Sequence, residues 1–297
     1  MFLANLIKVF CAFDTPATIE YAKAAIAYLE NKGHTLTLDS RLTEHLPVEV
    51  KKYNAFDASA TLDLDHDYLF SIGGDGTLLR SIPFVKDTEI PILGINTGRL
   101  GFLTSLQKES LNEALDKFFD KKFKLIKRDL LAVELSYPYA EIDQFGYALN
   151  EISINRKNTT AMLSIETRID KEFLTTYWAD GLIIATPTGS TGYSLSSGGP
   201  ILTPETEGIV LNPIAPHNLN IRPLVVPNKA FIEIRVDGRG EDHLISLDSR
   251  IFTIENGTQI HVKKAPFSVF TVELEGDNYF KTLREKLFWG YDARNRQ

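Results

Sequence analysis

The chain has 297 residues, 43% hydrophobic and 24% charged, with a formal net charge of -7 and one cysteine, Cys11. That balance is too apolar for a disordered chain, and the length allows two cores. A single thiol excludes an internal disulfide framework, and an acidic chain is a poor general binder of nucleic acid. No apolar run approaches the roughly 20 residues of a membrane helix. The start Met1-Phe2-Leu3-Ala4-Asn5 lacks the basic region of a signal peptide, so the cytoplasm is the expected compartment, with no membrane as partner.

The first hundred residues alternate strand and helix signals. Lys8 to Phe13 reads as a buried strand. Thr15-Pro16 predicts a helix start, with Thr15 as N-cap and proline at the first helical position. Ile19, Ala22, Ile26 and Leu29 follow at helical spacing, and Gly33 stands where a helix ends. Thr35 to Leu38 is the next strand, followed by a less readable stretch with Pro47 and the acidic run Asp63 to Asp67. Tyr68 to Ile72 leads directly into Gly73-Gly74-Asp75-Gly76-Thr77. Leu78 to Val85 predicts a short helix that Pro83 kinks or ends early. Ile90 to Ile95 is another buried strand. Strand, helix, strand in this order implies a parallel sheet covered by helices.

A helix over about Gln107 to Phe119 joins this region to one dominated by period-two alternation, as in Leu131, Val133 and Leu135, and in Ile232, Ile234 and Val236. The cluster Lys121-Lys122-Phe123-Lys124 reads as a solvated face. Asn256-Gly257 predicts a hairpin between Ile251–Ile254 and Ile260–Val262. Tyr279 to Phe288 is helical and returns to the first domain. The expected fold is an N-terminal Rossmann-like α/β domain, residues 1–104 joined by 277–297, and an antiparallel β-sandwich domain, residues 105–276.

Three features carry chemistry. At Gly73 to Thr77, glycines let the backbone turn sharply, and a helix start offers N–H groups to a phosphate. Asp75 is either an N-cap or a group that takes a proton from an attacking hydroxyl or holds a divalent metal. The loop from Asp180 through Thr186-Pro187-Thr188-Gly189-Ser190-Thr191-Gly192-Tyr193 to Pro200 is dense in hydroxyls and glycines, which suits sugar hydroxyls, base edges or phosphate. Asn150-Glu151 lies inside the strand-like Tyr147 to Ile154, so alternation turns one of the two inward. The six histidines show no metal-ligand spacing.

Taken together these motifs resemble the NAD kinase family, through Gly73-Gly74-Asp75-Gly76-Thr77, Asn96-Thr97-Gly98-Arg99-Leu100-Gly101-Phe102-Leu103-Thr104, Asn150-Glu151, the 180–200 loop and Ile221-Arg222-Pro223-Leu224. The resemblance implies phosphorylation of the adenosine-ribose 2′-hydroxyl of NAD by ATP with a divalent metal, Mg²⁺ foremost, in a homodimer or homotetramer. It implies Asp75 as the base, and Gly73, Gly74, Gly76 and Thr77 as the ATP phosphate turn. It places Asp75 and Gly76 against NAD, Phe102 beside the adenine, Asn150 and Glu151 on the adenosine half and Asp180 toward the nicotinamide end. Thr191, Tyr193 and Ser196 belong to the loop closing the NAD site, to which a partner subunit contributes. Two positions depart from the family pattern: Gly192, where alanine is common, and Asp248-Ser249, where Asp-Gly is common. A lipid kinase of the diacylglycerol or sphingosine type shares the Gly-Gly-Asp-Gly-Thr turn, and a non-catalytic NAD-sensing module is the other alternative.

Overall fold

The computed structural model describes residues 4–46, 53–56, 65–104, 111–157 and 161–289. The expected helix start at Gln107, together with Pro47 and Asp63, lies outside these residues. The chain divides into two compact units, Met1–Lys127 with Val269–Gln297, and Arg128–Ser268. No helix among the described residues is long and apolar enough to cross a membrane.

The first unit contains β1 (Leu6–Phe10), α1 (Pro16–Asn31), β2 (Thr35–Asp39), α2 (Ser40–Thr43), β3 (Asn54–Phe56), β4 (Tyr68–Ile72), α3 (Asp75–Val85), β5 (Ile92–Ile95) and α4 (Leu111–Phe119). The strands are parallel in the order β3-β2-β1-β4-β5. This is the doubly wound arrangement, with its reversal of direction between β1 and β4. Thr15 caps α1 by accepting from the Thr18 amide, and Gly33 follows the helix at φ +79°. The buried face of α1 (Ala22, Ala25, Ile26, Leu29) and that of α4 (Leu111, Ala114, Leu115, Phe118) share one core with the strands. That shared core is why the first unit runs on to Lys127 rather than ending near residue 104. Pro83 does not shorten α3, which continues to Val85.

The second unit begins within β6 (Phe123–Leu135) and continues through α5 (Ala140–Gln144), β7 (Tyr147–Ala148), β8 (Glu151–Asn155), β9 (Leu163–Ile169), β10 (Glu172–Ala179), β11 (Gly181–Ala185), a 3₁₀ turn (Thr188–Thr191) and α6 (Tyr193–Ser196). It then adds β12 (Gly208–Ile214), β13 (Leu224–Pro227), β14 (Ile232–Asp237), β15 (Asp242–Leu247), β16 (Arg250–Glu255) and the first part of β17 (Gln259–Leu274). One antiparallel layer runs β13-β12-β11-β8-β15-β16, and another runs β10-β9-β14-β17. Alternating apolar residues of both layers, among them Ile152, Ile154, Leu182, Ile184, Ile232 and Ile234, fill a common sandwich core. The end of β17 pairs with β5 through Thr271 and Ile92, and α7 (Tyr279–Leu287) completes the first unit.

One expected turn falls elsewhere. Asn256-Gly257 does not close a hairpin, because β16 and β17 belong to different layers. Its side chain ties the connection down instead, donating to the Gly240 carbonyl and pairing with His243 Nδ1. The tight hairpin is one turn earlier, where Leu247 pairs with Arg250 across Asp248-Ser249, and Asp248 takes φ +52°.

Candidate active site

The Gly73–Thr77 turn leaves the carboxyl end of β4, beside the switch between β1 and β4 where open α/β sheets bind their ligands. Gly73 adopts φ +151°, and a Cβ there would lie 2.2 Å from Thr77 Oγ1. Gly74, not Asp75, is the N-cap of α3, and no side chain occupies that cap. Gly74 and Gly76 are exposed and border open space, so an anion can approach the first amides of the helix.

Asp75 therefore does not cap its own helix. Its Oδ2 accepts from the Phe102 amide at 2.7 Å, and its Oδ1 accepts from the Leu103 amide (3.0 Å), the Thr104 amide (3.1 Å) and the Thr104 hydroxyl (2.9 Å). The segment 96–104 is shaped for this. Buried Asn96 donates to the carbonyls of Arg99 and Thr104 and accepts from the Gly98 amide, which curls the chain back. Gly101 is required by contact: a Cβ would fall 1.9 Å from Asp75 Oδ1. Phe102 is half-buried, its ring 6.3 Å from that of Tyr279, with Lys286 Nζ 4.7 Å from its centroid. Asp75 lines a cavity of about 600 Å³ together with Arg99, Leu100, Gly101, Glu285, Lys286 and Phe288.

The second unit builds a different cluster. The strand expected from Tyr147 to Ile154 breaks at Leu149-Asn150, and the break is held by Asp248. That carboxylate accepts from the amides of Leu149 (2.9 Å), Asn150 (2.7 Å) and Glu151 (3.2 Å). Burial pushes the Asp248 carboxyl up, while the three amides and the Arg250 charge pull it back. Arg250 in turn donates to the carbonyls of Phe145 and Tyr147. Because the strand breaks, strict alternation does not separate the two polar side chains: both Asn150 Oδ1 and Glu151 Oε2 are buried without a hydrogen-bond partner. Burial, with the negative charge of Asp248 as a second cause, pushes Glu151 up to about 8, opposed by the Tyr193 amide.

The 180–200 loop lies over this pair. Thr186 N donates to Asn150 O and Thr186 Oγ1 to Leu149 O. A Cβ at Gly189 would fall 2.0 Å from Asn150 O, and one at Gly192 would fall 2.9 Å from Glu151 Oε2. The hydroxyls of Thr191 and Ser196 donate to Thr188 O and Tyr193 O, and the Tyr193 side chain is exposed. Asn212 fastens the loop by donating to the carbonyls of Ser194 and Ser197. Asp180 stands apart. Antiparallel pairing sets Ala185 opposite Glu151 and Gly181 opposite Asn155. Asp180 thus lies about 17 Å along the strand from Ala185, paired with Arg156 at 3.2 Å.

Sequence reasoning did not single out Asn96, Asn212, Arg250 or Lys286, and left Asp248 without a task. A signal existed for Asp248, since it stands between two alternating runs at two-residue spacing, as a hairpin turn does. Asn212, Arg250 and Lys286 act through contacts distant in sequence, whereas Asn96 acts within its own loop.

Two family descriptions match the chain: the ATP-NAD kinase N-terminal domain over residues 7–123 and the ATP-NAD kinase C-terminal domain over residues 149–274. The NAD kinase of Christiangramia forsetii is 52% identical over 246 residues, 82% of this chain and 83% of the relative. That of Flavobacterium psychrophilum is 45% identical over 293 residues, 97% and 99% of the two chains. Among solved structures, yeast NADH kinase complexed with NADH shares the fold at a TM-score of 0.84, with 24% identity over 99% of this chain and 90% of that one. An NAD kinase from Archaeoglobus fulgidus in complex with ATP gives 0.73 and 26% identity, covering 95% and 98%.

Proposed function

Since the chain belongs to the NAD kinase family and so transfers a phosphoryl group from ATP to NAD, we propose that Asp75 accepts the proton of the adenosine-ribose 2′-hydroxyl in that step. The observation that carries the acceptor side of this reading is the pair of unpartnered buried oxygens, Asn150 Oδ1 and Glu151 Oε2. Buried acceptors without donors are costly, and a nucleoside with vicinal hydroxyls supplies the missing donors. A lipid acceptor needs an apolar pocket for its chain, whereas the 180–200 loop over this pair is rich in hydroxyls, which disfavours the lipid-kinase alternative.

The residue roles follow from each unit in turn. In the first, a carboxylate has about four acceptor positions. Oδ1 of Asp75 accepts three hydrogen bonds and Oδ2 only one, so Oδ2 keeps a lone pair for a proton. The amides of 102–104 hold that oxygen in place before substrate arrives, and pre-positioning is most of what phosphoryl transfer asks of a protein. Gly73, Gly74, Gly76 and Thr77 receive the ATP phosphates, and Phe102 flanks the adenine of NAD. In the second unit, Asn150 and Glu151 hold the adenosine half. Asp180, well down β11 from them, suits the far end of an elongated dinucleotide. Thr191, Tyr193 and Ser196 close over it.

Among the described residues no three His, Cys, Asp or Glu side chains come together to hold a cation. Among the described residues this donor set does not make a resident metal site. It fits Mg²⁺ delivered on the triphosphate, because that ion keeps several waters and binds mainly through substrate phosphates. Such a cation would offset part of the phosphate charge. We also infer a cytoplasmic homodimer or homotetramer; the exposed Phe173 and Trp178 on the edge strand β10 support self-association, which sedimentation tests.

The direct experiment incubates the purified protein with NAD, ATP and Mg²⁺ and follows NADP. Product is expected, and removal of the cation by EDTA should abolish it without lowering the melting temperature of the nucleotide-free protein. Phosphorylation of a diacylglycerol or sphingosine but not of NAD would overturn the reading, and so would NAD binding with no turnover.

A further inference from the structure

The C-terminal helix α7 enters the Asp75 cavity, and nothing in the Gly73–Thr77 turn accounts for its charges. Among the described residues that line the cavity, Glu285, Lys286 and Phe288 come from the last turn of α7 and the residue after it. Lys286 is half-buried, and its ammonium lies 4.7 Å from the Phe102 ring centroid. This cation–π contact fixes the charge on the 96–104 segment, the same segment whose amides hold Asp75. Arg99, on that segment, brings a second cation to the cavity. Of the two acids among the described lining residues, Asp75 already accepts four hydrogen bonds, and Glu285 is exposed to solvent.

We infer that Lys286, with Arg99 beside it, binds the phosphate chain of ATP, so that α7 is part of the kinase site. This rests on the reading of Asp75 as the base. In NAD the pyrophosphate hangs from the 5′ carbon of the ribose, whereas the transferred group must meet the 2′-hydroxyl at Asp75. Cations sharing a cavity with Asp75 therefore face the incoming phosphoryl group. Charge spreads over that group's equatorial oxygens during transfer, and a fixed ammonium stabilises it without reorganising. No bond to Lys286 forms or breaks.

The test is steady-state kinetics with ATP and NAD varied separately. Lys286→Ala, and Lys286→Met, which keeps an apolar stem on Phe102, should raise the KM for ATP by roughly ten-fold or more and lower kcat. The KM for NAD should stay within about two-fold, and the Kd for NAD by calorimetry should be unchanged, which also shows the variants folded. Lys286→Arg should recover most of the loss. Arg284→Ala, which removes an exposed cation of α7 that does not line the cavity, should match the unmodified protein. The inference is overturned if the KM for ATP is unmoved, if the KM for NAD rises in parallel, if Lys286→Met behaves normally, or if Arg284→Ala does equal harm. A native chain that makes no NADP would fail the underlying reading instead. An active native chain indifferent to Lys286 fails only this inference.

Discussion

Asp75 and Glu151 are both carboxylates beside glycine-rich turns, yet their surroundings are opposite. Asp75 accepts four hydrogen bonds from 102–104 and keeps its place without a ligand. Glu151 is buried, carries an unpartnered oxygen, and is pushed up to about 8 by burial and by Asp248. The difference fits the two roles proposed for them. A group that acts on a reacting atom benefits from being held in advance, whereas a group that recognises a ligand can leave polar atoms unpaired until the ligand supplies partners.

The contrast can be broken at its strongest point first. Asp75→Asn should lower kcat by about 10²–10⁴ while leaving the Kd for NAD within a few fold. Near-normal turnover would remove Asp75 from the role of base. Asp248→Ala should act on the other region through structure. Three amides lose their acceptor, each costing about 1–3 kcal/mol if left buried and unpaired, so a net loss near 3 kcal/mol is expected. Calorimetry should show a melting temperature lower by roughly 8 °C, with NAD binding weakened because Asn150 and Glu151 lose their alignment.

The third prediction concerns pH. Glu151 holds its proton in the folded chain up to about 8, against an ordinary value of 4.5. As pH rises from 4.5 toward 8 the unfolded chain ionises first, so this group makes folding progressively less favourable, and the full penalty persists above 8. Glu151→Gln should flatten that part of the profile. Its melting temperature should match the native value near pH 4.5 and exceed it by about 3 °C or more near pH 8, while NAD binds more weakly. Equal slopes for both proteins would show that Glu151 is not the titrating group. The smallest effect is expected for Gly192→Ala. The new Cβ comes closer than 3.0 Å only to Glu151 Oε2, at the end of a side chain, with Gly189 O at 3.2 Å and Asn150 Nδ2 at 3.3 Å, so the KM for NAD should change by no more than about three-fold. A large loss there would mean that the loop over Glu151 is as rigid as the Asp75 pocket.

Much of this arrangement is legible in the sequence. Period-two alternation, the Thr15-Pro16 helix start and the buried run Tyr68–Ile72 specify their elements locally, because capping and alternation depend on near neighbours. The turn residues were less transparent. Asn256-Gly257 carries a strong hairpin signal, yet it joins two layers, because its side chain finds partners at Gly240 and His243. Asp75 reads equally well as a cap until the amides that occupy it, 27 to 29 residues away, are seen.

By itself the sequence determined the two-part fold, the position of the glycine-rich turn after a buried strand, and the residue types gathered at 73–77, 150–151 and 180–200. These follow from periodicity, glycine geometry and hydroxyl content, all of which act over a few residues. Only the tertiary structure decided that Asp75 is clamped by 102–104, that Asp248 breaks the strand at Asn150, and that Lys286 reaches the Asp75 cavity. Each of these is a contact across 27 to more than 200 residues. Such contacts exist because packing closes the chain on itself, and no local pattern encodes where its far parts will meet.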